Sequence, residues 1–131
     1  MRSRTPESAF AGISLVLGAV YAIGETAVSW RYGLLSPYYL VDFVAFALLI
    51  AGGVVALRAR PRSAPGVATA GWAWTGANFW RATLARVEAQ KAGTALSFGS
   101  SEVPAAIAMT GVAMIGMGVG LWLLLRRGDD R

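Results

Sequence analysis

Cysteine and histidine are both absent from the 131 residues. Without a thiol there can be no disulfide, no thiolate nucleophile and no thiolate metal site. Without imidazole, the usual proton shuttle and the commonest metal ligand are missing as well. No metal, no cofactor and no assignable catalytic residue is therefore expected, and the balance leans away from an enzyme. Charge is scarce too: 15% of the residues are Asp, Glu, Lys or Arg, against ~25% in an average soluble domain. Hydrophobic residues make up 56%, so a water-soluble globule of this size would be left with unusual apolar surface. The formal charge of +5 does not point to nucleic acid, because the arginines sit at the ends of apolar segments and not in a basic, aromatic-laced patch.

What the chain does have is four apolar stretches, Ala9–Trp30, Tyr38–Leu57, Val67–Leu84 and Pro104–Leu125. Each approaches the ~20 residues that a helix needs to cross ~30 Å of hydrocarbon. The expected fold is all-α: an integral membrane four-helix bundle, one domain over residues 1–131, with helices at about 9–30, 38–57, 67–92 and 102–126. The longest segment outside the apolar stretches, residues 85–103, is too short to build a core of its own. A basic start before an apolar run also fits a signal peptide, but this run is long and carries Glu25 near its end. The third stretch is the weakest, broken by Thr69, Thr75, Asn78 and Arg81. Good helix formers continue it as far as Gly93, a candidate C-terminal cap, so the third helix is expected to extend beyond the outer membrane face.

Lys and Arg positions set the orientation. Four crossings gather Arg2, Arg4, Arg58, Arg60, Arg62, Arg126, Arg127 and Arg131 on one side and leave Arg31, Arg81, Arg86 and Lys91 on the other. The positive-inside rule then puts both termini in the cytoplasm. The plasma membrane of a prokaryotic cell suits the brevity and the Ala/Gly/Arg-rich composition.

Three ionisable groups lie inside the apolar stretches: Glu25, Asp42 and Arg81. Such groups are costly in lipid and normally face a partner or a water-filled cavity. In the proposed topology all three lie roughly 5–8 Å below the outer boundary, from the rise per residue of a helix. Residues three or four apart stack on one helical side, which adds Tyr21 beside Glu25, Tyr38 beside Asp42, and Trp74 and Asn78 beside Arg81. One reading is an outward-facing polar pocket, with Asn78 and Arg81 orienting a small ligand whose identity the sequence leaves open, and Glu25 or Asp42 binding a cation or exchanging a proton. The other is a packing network in which Arg81 bridges the two carboxylates.

The fourth helix carries Gly116 and Gly120, a G-x-x-x-G pair that lets a second backbone approach closely, and Gly52-Gly53 on the second helix offers a complementary groove. Packing within the monomer and a homodimer seam both fit. Three functions remain open at this point. They are a small transporter or binding subunit, a structural or accessory subunit of a larger membrane complex, and an intramembrane enzyme acting on a lipid-like substrate with Glu25 or Asp42 as acid or base.

Overall fold

The computed structural model describes residues 6–30, 33–34, 37–58, 64–94 and 103–129, and side-chain statements below exclude Pro37, Tyr38, Leu57, Ala64 and residues 127–129. Four helices follow one another: α1 Pro6–Ser29, α2 Pro37–Leu57, α3 Ala64–Lys91 and α4 Val103–Asp129. Among the described residues there is no strand. The ends agree with the sequence signals to within three residues. Proline stands first or second in every helix, as Pro6, Pro37, Pro65 and Pro104. There its missing N–H costs no intrahelical bond and its fixed φ already suits the helix.

The far end of α3 is closed by a Schellman cap. Gly93 adopts φ +64°, the Thr94 amide donates to the Ala89 carbonyl at 3.0 Å, and the Gly93 amide donates to the Gln90 carbonyl at 3.2 Å. Glycine tolerates that left-handed turn without a Cβ penalty. At 28 residues, α3 is about 42 Å long at 1.5 Å per residue, longer than the ~30 Å of a hydrocarbon core.

Successive helices pack antiparallel along their length, α1 on α2, α2 on α3 and α3 on α4, whereas α1 meets α3 and α4 over shorter stretches. A core of Phe10, Leu49, Ala68, Trp72, Ala113 and Leu123, with Met117 against it, joins all four helices. Close approach depends on glycine at two contacts in particular. A Cβ at Gly52 would stand 2.8 Å from the Ala68 amide nitrogen, and one at Gly71 would stand 2.8 Å from that of Leu49. Backbone cannot yield as a flexible side chain could, so α2 and α3 meet at their backbones.

Helices α1, α2 and α4 are long and apolar enough to cross a membrane; α3 is not among them. Thr69, Thr75, Asn78 and Arg81 lower its hydropathy, as its sequence foreshadows. Outward faces elsewhere are apolar, with Ile13, Val16, Val20 and Ile23 on α1 and Met114, Ile115, Trp122 and Leu125 on α4 exposed. So much contiguous apolar surface suggests a membrane protein.

Gly71→Ala should therefore lower the thermal stability of the detergent-solubilised protein by about 1–3 kcal/mol, the usual cost of overpacking. Gly118→Ala, whose Cβ would meet nothing within 4 Å, should leave it unchanged or raise it. Equal effects of the two substitutions in a melting experiment would contradict the backbone contact.

Candidate functional site

The half of the bundle away from Phe10 brings α1, α2 and α3 together through polar side chains. Tyr21 on α1 donates its hydroxyl to Asp42 Oδ1 on α2 at 2.6 Å. Asn78 on α3 directs its amide nitrogen at the same oxygen and at the Val41 carbonyl, 3.4 Å from each. Both of these are long contacts, beyond the usual 2.7–3.2 Å of an N–H to oxygen bond. The Trp74 indole donates to the Val41 carbonyl at 3.0 Å. Val41 and Asp42 are thus the point on α2 where α3 is held.

Aromatic rings flank the Tyr21 ring. Phe46 meets the Tyr21 ring edge-on at 6.0 Å and Phe79 stacks on it at 5.4 Å. Such offset and edge-to-face contacts suit the ring quadrupoles. One turn outward, Thr26 and Tyr39 share a hydrogen bond of 2.9 Å between α1 and α2. One turn and more inward, Trp72 donates its indole N–H to Ser14 Oγ at 2.9 Å, and Ser14 in turn donates to the Phe10 carbonyl at 2.8 Å.

Of the residues singled out in the sequence, Tyr21, Asp42, Asn78 and Trp74 converge on this cluster. Glu25 is half-buried, one turn beyond Tyr21, within electrostatic range of Asp42 and Arg86. Arg81 differs from the bridging arrangement. It lies within electrostatic range of Asp42, yet it is exposed and makes no ion pair among the described residues. Helical phase explains the difference: at 100° per residue, Asn78 sits about 40° to one side of Trp74 and Arg81 about 20° to the other. The side chain of Tyr38 lies outside the described residues. Gly52 meets Ala68 of α3 and Gly53 meets Ala11 and Leu15 of α1, while Gly116 faces Trp72 and Gly120 faces Thr69 and Phe10. Each glycine pair has partners other than its counterpart.

Sequence reasoning missed Phe79 and Tyr39, which meet the cluster through the Tyr21 ring and the Thr26 hydroxyl. Ring periodicity carried a faint signal, since Phe79 is four residues beyond Thr75 and Tyr39 four before Phe43, but the pairing depends on interhelical register. A shallow, open depression on α1 is lined by Ala22, Ile23, Thr26, Ala27 and Trp30, away from Asp42 and Asn78. Among the described residues there is no group of three side chains suited to hold a metal.

The chain matches no known family, no curated protein and no solved structure. Its build, a helical bundle with three helices long and apolar enough to cross a bilayer, suggests a membrane protein.

Chemically, the arrangement is a clamp in which one carboxylate receives donors from two other helices. A double-mutant cycle of Tyr21→Phe and Asp42→Ala in detergent melts should give a coupling of about 0.6–1.7 kcal/mol, as for interhelical hydrogen bonds in membrane proteins. Additivity to within about 0.3 kcal/mol would show that the two side chains act independently.

Proposed function

We propose that this chain is an integral protein of the plasma membrane that crosses the bilayer four times with both termini cytoplasmic, and that it serves as a structural or accessory subunit. The observation that carries the second half is the 2.6 Å hydrogen bond from Tyr21 to Asp42. It engages the half-buried Asp42 carboxylate in joining helices, and Phe46 and Phe79 pack against the ring of the donor. The exposed apolar faces of α1 and α4 are suited to lipid and to the helices of a larger membrane partner.

Four crossings require α3 to tolerate lipid despite its hydropathy, and its polar atoms support that. The hydroxyls of Thr69, Thr75 and Thr83 donate to the carbonyls of Pro65, Gly71 and Phe79, four residues back in the same helix. All three threonines are buried. Trp72, Trp74 and Asn78 donate to neighbouring helices. With these threonine, tryptophan and asparagine groups bonded inside the protein, α3 carries fewer of the unsatisfied groups that the hydrocarbon region penalises. The eight-to-four distribution of Lys and Arg between the two sides supports the orientation.

A second reading rests on Glu25. This half-buried carboxylate stands outside the Tyr21–Asp42–Asn78 contacts and feels the positive charge of Arg86, as a site for a small ligand or ion near the outer face would require.

The absence of cysteine makes topology directly measurable. A membrane-impermeant maleimide should label Thr94→Cys on intact cells and Ser63→Cys only after permeabilisation; labelling of both on intact cells would contradict the four-span arrangement. Native mass spectrometry of the protein released with its lipids then separates the functional readings. A co-purifying membrane protein supports the accessory role, whereas a retained small solute lost selectively in Glu25→Gln, with melting temperature unchanged, would replace it by the ligand site.

A further inference from the structure

The face of α3 that turns away from α2 and α4 carries a second polar feature. Ala70, Ala73, Ala77 and Leu84 are exposed along it, and Trp80 and Arg81 stand at one level between Ala77 and Leu84. The guanidinium has five N–H donors, none of them engaged among the described residues. Asp42, the nearest carboxylate in electrostatic terms, takes its hydrogen bonds from Tyr21 and Asn78, and Arg81 is not folded onto it. Beside it the Trp80 ring is 58% exposed, with no hydrogen bond for its indole N–H among the described residues.

A cation amid lipid-facing apolar side chains is costly unless it reaches an anion. At the edge of a bilayer the available anion is the phosphodiester of a phospholipid, and a planar guanidinium can grip its oxygens in bidentate fashion. Tryptophan belongs at the same level, its ring among the chains and its N–H among the headgroups. We propose that this face of α3 is a phospholipid site, in which Arg81 and the Trp80 indole N–H hold the phosphate and an acyl chain lies over Ala77 and Ala73. The inference rests on the membrane reading above. It assigns Arg81 a partner outside the protein in place of the carboxylates within it.

The test titrates the full chain in detergent with dioleoylphosphatidylglycerol and follows adducts by native mass spectrometry. Dioleoylglycerol, with the same chains and no phosphate, and inorganic phosphate, with no chains, are run in parallel. The wild type is expected to hold the phospholipid in preference to both. Arg81→Gln should weaken it about tenfold, the loss of roughly one charge-assisted hydrogen bond, with Arg81→Lys retaining more and Trp80→Phe losing less. Arg126→Gln, at the opposite end of the bundle, should change nothing. Equal binding by Arg81→Gln, equal loss in Arg126→Gln, or equal binding of dioleoylglycerol would overturn the site. Arg81-dependent binding of inorganic phosphate alone would overturn the lipid as its ligand. Alkaline carbonate extraction separates the two levels of failure. Wild-type chain released from membranes would sink the membrane reading itself, whereas retained chain that binds lipid without Arg81 would sink only this site.

Discussion

The constraint on which the structure turns is that its least apolar helix is also its most central one. Helix α3 lies between α2 and α4 and touches α1, so the threonine, tryptophan and asparagine groups on its packed faces look to its own backbone or to a neighbour for a partner. Threonine solves this locally by bonding to the carbonyl four residues back. Tryptophan and asparagine solve it across the interface, at Ser14, Val41 and Asp42. The same bonds that make α3 tolerable inside the bundle therefore fix where α1 and α2 stand against it.

Two kinds of contact divide that task. Toward the Phe10 end of α1, small residues let backbones and rings come close: Gly52 against Ala68, Gly71 against Leu49, Gly116 beneath Trp72. In a lipid environment such packing drives association, since the hydrophobic effect between helices is lost. Toward the other end, side chains grow larger and the helices are joined through Tyr21, Asp42, Asn78 and the rings around them. A carboxylate held in this way joins three helices at once.

Much of this was legible in the residues. The Gly93 cap and the lengths of the apolar stretches gave four helices with nearly correct ends, because those signals are local. Spacing placed Glu25, Asp42 and Arg81 at one depth with Tyr21 one turn from Glu25; in the structure Tyr21 bonds Asp42, and Glu25 and Arg81 lie within electrostatic range of that carboxylate. What local spacing could not give was rotation. Trp74, Asn78 and Arg81 share a helical side in sequence, but that side straddles the border between the α2 contact and the surroundings, so Asn78 turns in and Arg81 turns out. Nor could it give register, on which the meetings of Ser14 with Trp72 and of Tyr21 with Phe79 depend. Hydropathy also counts each threonine of α3 as if its hydroxyl still needed water, whereas Thr69, Thr75 and Thr83 donate to their own helix.

The most direct measurement of the central claim is amide hydrogen exchange on the protein in lipid nanodiscs. If α3 crosses the bilayer within the bundle, its amides from Thr69 to Thr83 should be as protected as those of α4 from Ala106 to Leu123, with faster exchange only toward Lys91. Rapid exchange throughout that part of α3, while α1, α2 and α4 stay protected, would contradict it.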